Sequence, residues 1–137
     1  MNKTAIWFSR HTPTEAQLTE IAAMGMTLVA VEDGQRLGAM AISNDGDLNA
    51  VMTALLAMAS EHNAVACFGV FPAPAQECLH RTAQDTVQRG DWAGTELTCY
   101  AAWNITRSVE GGKPTFAHQR FCCVGALSDA AMRWVRK

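Results

Sequence analysis

The chain has 137 residues, 49% of them apolar and 18% charged, with a net charge of −2. That is the composition of one globular domain and not of a disordered chain. The acidic balance excludes a general nucleic-acid binder, whose affinity comes from many phosphate contacts, and leaves room only for a local basic pocket. The opening residues lack the apolar run of a secretory signal, and no stretch approaches the length of a membrane span. A cytoplasmic protein of a single α/β domain over residues 1–137 is therefore expected.

The apolar run "TAIWFS" (residues 4–9) reads as a first strand buried on both faces. It ends in Ser9, Arg10 and His11. A helix start follows, with Thr12 as cap, Pro13 at the first position and Glu15 in the capping-box place. Leu18, Ile21 and Ala22 supply its inward stripe, and Gly25 ends it. "TLVAV" (27–31) is a second strand. The segment "EDGQRLGAMAISNDG" reads as turns around a short edge strand at Ala39 to Ile42. Asp47 then caps a helix whose apolar positions are Leu48, Val51, Met52, Leu55, Leu56 and Ala59.

A third buried strand spans residues 64–71. Pro72 and Pro74 restart the chain into a helix through about Gln88, closed by Gly90. The fourth strand covers 96–103, and "NITRSVEGGKPT" (104–115) reads as a loop. A fifth strand, "FAHQRFCCVG", precedes a terminal helix capped by Ser128. Strands alternating with helices predict a Rossmann-like sandwich, a mainly parallel sheet of about five strands with an antiparallel strand at its edge.

Five cysteines stand at positions 67, 78, 99, 122 and 123. The odd count and the lack of a C-x-x-C motif read as reduced packing residues, neither a disulfide framework nor a zinc site. No phosphate-loop or dinucleotide fingerprint occurs, no Gly-x-Ser-x-Gly surrounds Ser9, and carboxylates do not gather near it. No cofactor and no metal are expected.

In an open α/β sheet, ligands bind beyond the carboxyl ends of the strands. Three segments qualify. Ser9, Arg10 and His11 bring a hydroxyl, a guanidinium and an imidazole beside a helix N-terminus, a combination suited to an anion. Gly69 to Pro72, with Gly69 and Phe71, follow the third strand. Trp103 offers a surface for stacking a base, Asn104 a hydrogen bond to a base edge, and Arg107 and Lys113 contacts to phosphate, with Gly111 and Gly112 allowing close approach. His62 and His80, late in helices, read as C-terminal dipole partners or surface residues. His118 and Arg120, at alternate positions in a strand, are expected on one side of it.

"SRHTPTEAQL" after the first strand and "GVFPAPAQECL" after a central one resemble small CRISPR-associated Rossmann-like proteins. These carry Ser-Arg-His at the end of strand one and a later Gly-x-x-Pro leading into a helix. Members of that group are related to ring nucleases of antiviral defence, which bind and linearise cyclic oligoadenylate. The "SRH-PT--Q" and "N--R--EGGKP-F" segments also resemble small proteins of bacterial and prophage origin. The resemblance implies metal-independent attack of a ribose 2′-hydroxyl on the adjacent phosphate. Arg10 and Arg107 would stabilise the developing charge, Ser9 and Asn104 would position it, and His11 would serve as acid or base. It also implies a homodimer, since a cyclic ligand with two-fold symmetry sits naturally across a two-fold axis. Three functions stay open: a nucleotide or cyclic-oligonucleotide binder that also cleaves, a sponge or sensor that only binds, and a phage-encoded inhibitor acting by protein contact.

Overall fold

The computed structural model describes residues 3–89, 97–110 and 113–127. Five strands form one sheet: β1 (Lys3–Phe8), β2 (Met26–Val29), β3 (Ala66–Gly69), β4 (Leu97–Glu110) and β5 (Lys113–Leu127). The helices are α1 (Glu15–Ala23), α2 (Val31–Gly38), α3 (Asp45–Glu61) and α4 (Ala73–Arg89). The strand order is β2-β1-β3-β4-β5. The first four strands run parallel, and β5 is antiparallel at the edge. This is the expected Rossmann-like sandwich. No helix among the described residues is long and apolar enough to cross a membrane.

Alternation along the central strands sorts the core into two layers. Ile6, Phe8, Cys67 and Cys99 pack on one face with Val51, Met52 and Leu55 of α3 and Leu79 of α4. Ala5, Trp7, Ala66 and Phe68 pack on the other with Ile21 of α1 and Phe121 of β5. Phe68 stacks on Tyr100 at 4.8 Å and meets Phe121 edge-on at 4.9 Å. Burial raises the Cys67, Cys78 and Tyr100 ionisations above their ordinary values, because each would place its charge in an apolar layer. The apolar positions read from the α3 sequence all face inward, with Leu56 half-buried at their margin.

Several local expectations are corrected. Helix α1 starts two residues later than the Thr12-Pro13 signal suggests. Its cap is Thr14, whose hydroxyl accepts from Gln17 N–H while the Gln17 side chain accepts from Thr14 N–H. Holding Gln17 over the helix end makes Gln17 and Ile21 the buried positions and leaves Leu18 exposed. Asn44, not Asp47, caps α3; Asp47 instead accepts from the Ser43 backbone N–H.

The segment read as turns and an edge strand contains α2, and Ala39 to Ile42 form no strand. The reason lies in Gly34 and Gly38, one helical turn apart. A Cβ on Gly34 would lie 1.8 Å from the Trp7 carbonyl oxygen, and one on Gly38 would lie 2.6 Å from the Ser9 carbonyl carbon. The bare face of α2 is thus laid against the backbone of β1 beyond Ile6, the last residue that pairs with β2.

Residues 104–110 and 113–115, expected as a loop, belong to the antiparallel strands β4 and β5. β4 pairs with β3 only as far as Ala101, and Ala102–Glu110 run on beside β5 alone, to the pair Glu110↔Lys113. The expected terminal helix with Ser128, and Gly90, Gly111 and Gly112, lie outside the described residues.

Candidate functional site

The strand order places a topological switch point at the carboxyl ends of β1 and β3, because the chain leaves β1 towards β2 on one face and reaches β3 over the other. The Ser9–His11 loop sits there and is held from below. The Trp7 indole N–H donates to the His11 carbonyl at 2.8 Å, and the His11 backbone N–H donates to Ser9 Oγ at 3.1 Å. Gln35 of α2 donates to Thr12 Oγ1 at 3.1 Å. Ser9 is buried by this arrangement, whereas Arg10 and His11 are exposed. The expected trio therefore divides into one residue that shapes the loop and two that it presents.

Two cavities flank the loop. The first, about 500 Å³, is lined by Ser9, Arg10 and His11, by Gly38–Ile42 after α2, and by Val70 and Pro72 after β3. Among these residues Arg10 is the only permanent cation. Met40 and Val70 stand 53% and 51% exposed in its wall and give the cavity two apolar side chains open to contact. The second cavity, about 400 Å³, lies on the α1 side and is lined by Trp7, Ser9, His11, Thr12, Thr14, Gln17, Val70 and His118. Ser9, His11 and Val70 line both, so the two spaces share a wall at the loop.

The helix N-terminus contributes less than its sequence promised. The Gln17 N–H of α1 is taken by Thr14 Oγ1, the Leu18 N–H by the Thr14 carbonyl, and Glu15 places a carboxylate in the first turn. A self-capped helix end beside an acidic side chain is a poor anion cradle. Among the residues lining the first cavity, Arg10 supplies the permanent positive charge.

His118 enters the second cavity because of an irregularity in β5. Trp103 pairs with Arg120 and Asn104 with His118, so Gln119 is an extra residue opposite the junction of Trp103 and Asn104. Such a bulge shifts the alternation of side chains by one, and bulges often re-aim a side chain in this way. His118 and Phe121, three residues apart, accordingly share the α1 face, with ring centroids 4.8 Å apart. Arg120 lies elsewhere, 5.0 Å over the Trp103 ring. The expectation that His118 and Arg120 share a side is thus replaced by a division between two faces. Glu20 of α1 then clamps β5: His118 Nε2 lies 2.7 Å from its Oε1, and the Phe121 N–H donates to its Oε2 at 2.9 Å.

The structure brings Ser9, Arg10 and His11 together as expected and leaves other candidates out. Phe71 is buried against Phe8 at 5.2 Å and belongs to the core. Gly69 is needed for packing, since a Cβ there would lie 1.9 Å from the Phe8 carbonyl oxygen. Trp103 is half exposed with Arg120 over its ring, and it lines neither cavity. Asn104, Arg107 and Lys113 lie on the hairpin backbone, and their side chains are outside the described residues. His118, Glu20 and Gln17 are the additions. The signal that could have revealed His118 is its place among the few buried-strand positions occupied by a titratable group. No family model, no curated protein and no solved structure matches this chain.

Proposed function

We propose that the protein binds a nucleotide or a cyclic oligonucleotide signal at the switch-point cavity. The observation that carries this reading is the composition of the cavity wall. Arg10 is held out by a loop pinned from Trp7, and the uncovered side chains of Met40 and Val70 stand beside it. A guanidinium fork suits phosphate oxygens, and an adaptable apolar wall suits the face of a base. A volume of about 500 Å³ is of the size that takes one small ligand. A larger cyclic ligand would need two such cavities, which a two-fold homodimer supplies. The resemblance to ring-nuclease-like proteins adds metal-independent cleavage, for which His11 would be the residue to move a proton at the scissile phosphate.

The test is a thermal-shift screen of the purified protein against mono-, di- and cyclic oligonucleotides without added metal. A ligand at a hundredfold excess over its Kd stabilises the fold by about 2.7 kcal/mol. The expected result is a shift that Arg10→Ala abolishes, and chromatography of the recovered ligand then separates cleavage from simple binding. A panel without any shift would overturn the reading and favour an inhibitor that acts by protein contact.

A further inference from the structure

The second cavity differs from the first in what lines it. None of its lining residues is a lysine, arginine, aspartate or glutamate, so it holds no permanent charge. Three hydroxyls in it already accept a hydrogen bond. Ser9 Oγ accepts from the His11 N–H, Thr12 Oγ1 from the Gln35 side-chain amide and Thr14 Oγ1 from the Gln17 N–H. Each hydroxyl still has its own hydrogen to give. Gln17 carries the pattern furthest. Its side chain is fixed by the capping box of α1, with Oε1 accepting from the Thr14 N–H at 2.9 Å. An N–H must meet the oxygen of the amide, so this bond identifies which end is which. Nε2 keeps two hydrogens and has no partner among the described residues. Gln17 is 7% exposed and lines the cavity, and its Nε2 is not among the unpartnered polar atoms that the fold seals off. A buried amide with unused donors calls for an acceptor in the space it lines.

We infer that the second cavity is a binding site for an uncharged ring with hydrogen-bond acceptors side by side, the carbonyl and adjacent ring nitrogen of an oxo-purine, and that Gln17 Nε2 is the donor that selects it. The site is separate from the Arg10 cavity and does not depend on what binds there. An anion suits it poorly: no lining residue carries a permanent charge to balance one, and Glu15 adds a carboxylate to the first turn of α1. A volume of about 400 Å³ takes one base or nucleoside, and half-exposed Val70 offers an apolar side chain to its face. Adenine is the informative contrast. Its edge sets an amine beside the acceptor nitrogen, and a glutamine reads that edge with its oxygen and nitrogen together. Here the oxygen is held by Thr14, so Gln17 can donate to the ring nitrogen but cannot take the amine hydrogen.

The test titrates the full chain with inosine, which carries the carbonyl, and with adenosine, which carries an amine in its place. Calorimetry and nitrogen-15 spectra of the glutamine side-chain amides follow the binding. Inosine should bind wild type roughly tenfold more tightly than adenosine and should move the Gln17 Nε2 signal. Gln17→Glu keeps an oxygen for the Thr14 N–H and puts a carboxylate oxygen where the donor was. An acidic residue suits this place in a capping box, so the variant should melt at or above wild type. It should nevertheless lose inosine affinity by roughly tenfold or more. That pairing separates recognition from capping, because a residue that only caps would leave the affinity alone. Equal affinity for the two nucleosides, an unmoved Gln17 signal, or full inosine binding by Gln17→Glu would overturn the inference. So would a wild-type protein that binds no inosine, and an Arg10-dependent nucleotide shift would survive that result because it reports on the other cavity.

Discussion

Gly34→Ala isolates the contact that seats α2 and, through it, one wall of the first cavity. In a free helix the change would stabilise, since alanine is favoured over glycine by about 1 kcal/mol. Here the new methyl would lie 1.8 Å from the Trp7 carbonyl oxygen and 2.6 Å from its carbon. Both are backbone atoms of a central strand, so neither can rotate away. To reach ordinary van der Waals contact, α2 must retreat by about 1.5 Å. Its Gln35–Thr12 hydrogen bond and the packing of Leu37 against the core are strained by that retreat. Overpacking of this kind costs about 1–3 kcal/mol. Both clashing atoms are rigid backbone, which places the cost in the upper half of that range, about 2–3 kcal/mol; less the helix gain, the net loss is on the order of 1–2 kcal/mol, or a fall in Tm of roughly 3–8 °C for a chain of this length. Thermal and urea unfolding, followed by circular dichroism, measure it. Residues 38–42 should shift with the helix, and the Arg10-dependent ligand should bind more weakly. A melting temperature equal to or above wild type would refute the packing of α2 on β1.

Two further changes test the loop and the core. Trp7→Phe keeps an aromatic ring in the α1-side layer but removes the donor to the His11 carbonyl. It should cost about 1–3 kcal/mol in urea unfolding and weaken nucleotide binding; unaltered stability and affinity would show that the loop does not hang on the indole. Cys67 and Cys78, whose ionisation burial raises from 9.0, stay protonated in the fold after they begin to ionise in the unfolded chain. Their stabilisation is complete below that value and declines as the pH rises through it, because the folded state then binds more protons. Urea midpoints measured at pH 7.5, 9 and 10 should fall, and a thiol reagent should label exposed Cys123 well before Cys67. Flat midpoints, or equal labelling rates, would contradict this account.

What the sequence determined by itself was the part of the fold written in local patterns. The near-continuous apolar runs of β1 and β3 mark strands covered on both faces. The stripe of Leu48, Val51, Met52, Leu55 and Ala59 marks a helix over a sheet. The abrupt change at Ser9, Arg10 and His11 located the carboxyl end of β1, where the switch point lies. Tertiary structure decided what depends on distant partners. The α2 segment, "VEDGQRLG", has no broad apolar stripe. Its glycines act as a contact face only once β1 lies beneath them, so without the strand they read as turn residues. The hairpin residues look like a loop because Gly111-Gly112 and the polar residues around them obscure the alternation, and pairing with β5 makes them a strand. His118 meets Glu20 across 98 positions in the chain, through a bulge that shifts its side from the one alternation assigns. Periodicity records which face a residue turns inward when its neighbours are regular. It does not record which element will cover that face, nor where an extra residue reverses it, because both follow from how the strands are ordered in space.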